Sequence, residues 1–168
     1  MTIKTTLLTL LVTLSSVAFA GHHAEPAAPT SSADNLATAT LFMNKLLAEP
    51  EVVKDLVHDD FDFVFMGRTQ ISNVSYDKTT YFSVWLPEVV TPLVPAGFRR
   101  LEVMDSIADE SGVALIVEGE ADGINGLYDN KYVFVFKFKA GKILTLREYN
   151  SDLLVATRLY KQELVADE

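Results

Sequence analysis

Residues 126–152 read GLYDNKYVFVFKFKAGKILTLREYNSD, and the alternation inside this stretch decides the fold. In its YVFVFKFK run, Tyr132, Phe134, Phe136 and Phe138 share one side of a strand, and Val133, Val135, Lys137 and Lys139 share the other. The first side is an aromatic wall. The second starts apolar and ends charged, as a face half covered by a partner does. Ala140-Gly141 supplies a turn, and Lys142–Asn150 alternates again as the next strand.

Upstream, Phe98–Ala108 and Val113–Asp122 keep the same period, with turn residues in DESG and around GINGLYDN. These four strands form a meander, preceded by a helical half. Leu36, Ala39, Met43, Leu46 and Leu47 recur at helical spacing after Asp34, a good helix cap. Pro50 ends that helix and suits the first turn of a second, which carries Val52, Val53, Leu56 and Val57. Phe61, Phe63 and Phe65 then alternate as a strand, and Gly67 to Tyr76 reads as a polar loop. Asp77 caps a third helix through about Leu86, bearing Tyr81, Phe82 and Trp85, and Pro87 ends or kinks it. Helices first and antiparallel strands afterwards predict an α+β domain, with three N-terminal helices on one face of a curved, mainly antiparallel sheet.

The chain of 168 residues is long enough for one domain with a real core. Residues 1–20, MTIKTTLLTLLVTLSSVAFA, have a lysine near the start, an apolar middle and an A-x-A end, the pattern of a secretory signal peptide. Thr9, Thr13, Ser15 and Ser16 break the apolar run, which falls short of the ~20 residues a membrane span needs. The expected location is therefore secreted or periplasmic, with no membrane association after cleavage. Residues 21–33 read as a flexible leader, in which the pair His22-His23 carries little meaning. The domain is expected over 34–160, followed by an acidic tail, 161–168. A net charge of −9 argues against nucleic acid and anionic membranes as partners. Without cysteine there is no disulfide framework, so the core alone must hold the fold.

The order of elements, together with Gly126, Tyr128, Asn130, the phenylalanine strand, Gly141-Lys142-Ile143 and Arg147-Glu148-Tyr149, resembles the SnoaL-like branch of the nuclear transport factor 2-like superfamily. That branch is related to polyketide cyclases, ketosteroid isomerases and limonene epoxide hydrolases. The resemblance implies a conical domain with a pocket inside its curved sheet, and it runs loosely from Asp34 to Leu159. Enzymes of this kind use an acidic group in or near the cone, which an apolar pocket tunes toward neutral pKa. By position from the GKI turn, the acid of the epoxide hydrolases and cyclases is replaced here by Ser151, and the carboxylate falls one place on, at Asp152. A shift of one residue turns a side chain to the other face of a strand.

Glu118 and Glu120 lie on one face of GVALIVEGEADG, without the arginine that accompanies the epoxide hydrolase acid. The ketosteroid isomerase base would fall after the second helix, where HDDFDFVFMG offers phenylalanine, valine and methionine; Asp59 and Asp60 come earlier, where they end the helix and begin the strand, beside His58. No nucleophile triad or metal-ligand cluster stands out, and neither metal nor cofactor is expected.

Three functions follow. The first is an exported domain binding a small, largely apolar or amphipathic molecule in its cone, touched by Tyr81, Trp85, Phe134, Arg147, Tyr149 and Ser151. The second is an isomerase, cyclase or hydrolase with Asp152 or Glu120 as general acid–base. The third is a homodimerisation module that pairs through its sheet.

Overall fold

The alternation of residues 126–149 is realised as two long paired strands, β5 (Gly126–Lys139) and β6 (Lys142–Tyr149). They lie at the centre of a computed structural model that describes residues 31–165. The segment read as a signal peptide, the leader as far as residue 30, and the last three residues of the tail lie outside the described residues.

The first helix, α1 (Ser32–Lys45), starts two residues before Asp34. Its cap is Ser31, whose hydroxyl accepts from the Asp34 N–H at 3.2 Å while the Asp34 carboxylate accepts from Ser31. Asp34 thus completes a capping box from inside the helix rather than starting it. Pro50 opens α2 (Pro50–Leu56) as its position suggests. Strand β1 (Val57–Met66) follows without a loop, so Asp59 and Asp60 begin a strand as expected, while the helix has already ended at Leu56, ahead of His58. They sit in an irregular stretch where the pairing with β6 shifts. There Asp59 pairs with Lys78 and Asp60 with Lys139, each at 3.0 Å.

Within the segment read as a polar loop, Ser75–Asp77 forms a short strand, β2, antiparallel to β1. The third helix runs over residues 78–93 and passes straight through Pro87. Its middle, Tyr81–Val90, is wound wide, with the Thr91 N–H reaching back five residues to the Leu86 carbonyl. This winding accommodates a residue that has no N–H of its own to offer.

β3 (Phe98–Asp109) and β4 (Gly112–Gly123) complete the sheet, whose order is β2-β1-β6-β5-β4-β3. Only β1 and β6 run parallel. The sheet is curved and open, and α1 packs on β3 and β4. Phe42 of α1 meets Phe136 edge to face at 5.7 Å, and Phe63 meets Tyr81 and Trp85 of the third helix, each at 4.9 Å. A feature absent from the sequence reading closes the domain: residues 152–159 form a short helix capped by Ser151, burying Val155 and Leu159.

Candidate functional site

Strand parity builds the site. On β5 the inward side chains are Tyr128, Asn130, Tyr132, Phe134 and Phe136, all buried. β6 pairs with β5 so that Glu148 stands opposite Phe134, and Leu146 opposite Phe136. On its other side β6 places Glu148 beside Phe65 of β1. Glu148 therefore points inward, between two phenylalanines, whereas Arg147 and Tyr149 point out.

Inside the cone lies a chamber of about 80 Å³. Met43 and Leu46 wall it from α1, Tyr81, Trp85 and Val89 from the third helix, and Phe98 and Leu101 from β3. Tyr128, Tyr132, Phe134 and Glu148 close it from the central strands. Gly119 of β4 leaves the necessary room. A Cβ there would lie 2.8 Å from the Tyr132 ring and within 3.3 Å of Leu101 and Phe98. Glu148 is the one carboxylate among the described lining residues. Its side chain is only half-buried by surface area, although it sits deep between the strands.

Burial pushes the Glu148 carboxyl up to about 8, because an anion there has lost its water. A hydrogen bond from Asn150 Nδ2 to Oε1, at 3.2 Å, pulls more weakly in the opposite direction. The carboxyl is thus largely protonated at neutral pH and can both give and take a proton near it. Three tyrosines share the lining, and two of them, Tyr128 and Tyr132, come from β5 beside Glu148. Tyr128 Oη accepts from Asn130 Nδ2 at 2.9 Å, which leaves its own proton free to donate. Tyr132 Oη is buried and makes no hydrogen bond of good geometry, but the Tyr128 hydroxyl lies close enough for a loose one, which holds the Tyr128 phenol down and pushes the Tyr132 phenol up. Burial raises both phenols, Tyr128 to about 12, so both remain protonated donors. An apolar chamber with three hydroxyl groups at its polar end suits a molecule that presents an acceptor oxygen.

The residues singled out from the sequence are distributed unevenly around this chamber. Tyr81, Trp85 and Phe134 line it. Arg147 lies on the opposite face, bound to the Asp62 carboxylate and donating to the Asp62 carbonyl at 2.7 Å. Tyr149 is largely exposed beside Gly67 and Arg68. Ser151 donates its N–H to Asn130 Oδ1 at 3.3 Å and caps the closing helix, so it supports the site without lining it. Asp152 Oδ2 accepts from the Arg68 N–H at 2.8 Å, pinning the loop after β1 from outside the chamber. Glu120 is on the outer face of β4, held by Arg99 at 2.8 Å, and Glu118 is beside it with Arg100 and Lys131.

Glu148 sits inside the Arg-Glu-Tyr signature, and one sequence signal points to it. It lies two residues after the buried Leu146, on the inward side of its own strand.

No protein-family model matches the sequence, and no curated protein matches it. Solved structures do match its shape. Bal32a, from a soil-derived mobile gene cassette, superposes with a TM-score of 0.65 at 17% identity, over 77% of this chain and 97% of that one. An NTF2-like protein from Burkholderia xenovorans LB400 gives 0.60 at 12% identity, over 77% and 98%. A phenazine biosynthesis-related protein from Pseudomonas aeruginosa gives 0.60 at 17%, over 82% and 92%. With these neighbours, the open curved sheet and the pocket inside it define a domain of the nuclear transport factor 2-like fold. At such identities the likeness is one of fold.

Proposed function

We propose that this is an exported domain that binds a small, largely apolar molecule in its cone and performs proton-transfer chemistry on it, with Glu148 as general acid–base. The observation that carries this reading is a lone carboxyl lining an apolar chamber, raised to about 8 by burial. An acid tuned close to working pH exchanges a proton at low cost in either direction. Tyr128 and Tyr132 are placed to stabilise negative charge developing on an oxygen of the bound molecule. An isomerase, cyclase or hydrolase reaction is consistent with these roles. Export is supported by the signal-like residues 1–20.

Trp85 is the only tryptophan of the chain and lines the chamber, so its emission reports occupancy directly. Small neutral ketones and epoxides are expected to change that emission and to be turned over by the native protein. Glu148→Gln should bind them and lose turnover by at least 10²-fold, the lower end of acid–base contributions. Binding without turnover in the native protein would leave a binder only. Turnover unaffected by Glu148→Gln would remove the catalytic role.

A second reading has its own observation. Ile116, Val133 and Tyr149 stand side by side on the outer face of β4, β5 and β6, and Val133 and Tyr149 are exposed. We propose that this stripe pairs two copies of the chain. Light scattering should give a dimer that Val133→Lys converts to a monomer.

A further inference from the structure

The chamber is too small to be the whole site. Its volume of about 80 Å³ is roughly half that of the ~150 Å³ cavity that takes up benzene. Small-molecule sites commonly enclose about 300–1,000 Å³. A second cavity of about 510 Å³ lies against it, opening to solvent between α2 and the turn that precedes β3. The two share Leu46, Leu47, Leu86, Val90, Val94 and Phe98 as a common wall, so the boundary between them is built of apolar side chains. The outer groove continues over Phe82, Pro87, Pro95 and Ala96. Its charged groups, Glu51 and Lys54, are paired with each other at 2.8 Å, and Lys54 also sits 5.5 Å over the Phe82 ring. Each charge is answered within the groove, which therefore favours a neutral apolar occupant over an ionic one.

Polarity is concentrated at the other end. Tyr132 is buried, its hydroxyl has no partner of good geometry beyond a loose contact with that of Tyr128, and it lines the inner chamber with Glu148.

We propose that chamber and groove are two halves of one site for an elongated neutral amphiphile, whose oxygen-bearing end reaches Tyr132 and Glu148 and whose hydrocarbon chain lies in the groove. This rests on the chamber being a binding site, as proposed above, and adds the shape and class of what it binds. Leu86, Val90 and Phe98 separate the two ends and set which part of the molecule reaches the acid.

Straight-chain 1-alkanols from butanol to dodecanol, followed by Trp85 emission, test it. Butanol should bind weakly within the chamber. Affinity should then climb by about fourfold for each added methylene, as expected for burial of hydrocarbon, until the groove is filled. Ala96→Phe adds bulk to an exposed groove position outside the core. It should abolish the gain for the longer alkanols and leave butanol binding unchanged. Butanol binding with no dependence on chain length would overturn the two-part site and leave the chamber intact. A gain with length that Ala96→Phe does not affect would place the chain elsewhere, and also overturns it. No response to any alkanol would overturn the chamber itself as a binding site, and the proposal with it.

Discussion

Asn150 Nδ2 donates to Glu148 Oε1 at 3.2 Å, so the residue that follows the last strand holds the acid on that strand two positions earlier. The bond favours the ionised carboxyl against the burial that opposes it. Asn150→Leu removes the donor and adds apolar surface. The Glu148 carboxyl should titrate higher than about 8, by about half to one pH unit, the equivalent of one modest hydrogen bond. Carbon-13 NMR of the labelled carboxyl reads this directly, and a lower midpoint would show that Asn150 does not act through that bond.

Glu148 also couples stability to pH. Its carboxyl binds a proton more tightly folded, at about 8, than in its ordinary state, at 4.5. The folded form therefore holds the extra proton between those values. The contribution is fully present below about pH 4.5, declines as pH rises, and is lost above about pH 8. Asp59, Asp60 and Glu118, held low by lysine and arginine partners, work in the opposite sense at more acid pH. Comparison with Glu148→Gln isolates the effect. Chemical denaturation at pH 5 and pH 8 should show the native protein losing on the order of 3 kcal/mol relative to the variant as pH rises. Parallel pH profiles for the two would mean that the carboxyl is solvated.

The sheet was legible because alternation is a local property. From Tyr132 to Phe138 each inward ring is two residues from the next, and the strand formed with that parity. The π-wound helix was not legible, since Pro87 reads as a stop or a kink and the backbone that absorbs it has no sequence signature of its own. Nor was the closing helix, because Ser151 and Asp152 read as site residues in the sequence, while one caps that helix and the other pins the loop at Arg68. The acid itself was in plain view. Its role depends on Phe65 and Phe134, which flank it from strands distant in sequence, so a reading of single residues gave more weight to the conspicuous polar neighbours.

Arg147 gives a control for that geometry. Its guanidinium binds Asp62 across the parallel pair of strands, on the face away from the chamber. Arg147→Met should cost about 1–2 kcal/mol in stability by loosening this tie. It should leave the Glu148 titration and alkanol binding unchanged, as NMR and Trp85 emission would show. A changed Glu148 midpoint would mean that the two faces of β6 are coupled.

Gly119 tests whether the chamber's dimensions are set by packing. The glycine lies on the inner face of β4, opposite Asn130 of β5, and it is buried beneath the Tyr132 ring. A methyl group there would come within 2.8 Å of that ring, closer than side-chain carbons tolerate, while Leu101 and Phe98 stand at 3.2 and 3.3 Å. All three belong to the chamber lining, so the nearest way to relieve the overlap is for Tyr132 to move into the empty space. Gly119→Ala should therefore cost about 1–3 kcal/mol, the usual range for an overfilled interior, in chemical denaturation. Because the ring that moves carries one of the chamber's hydroxyls into its empty space, butanol binding should weaken as well. A variant as stable as the native protein, with butanol affinity unchanged, would show that the rings have slack and that Gly119 does not shape the site.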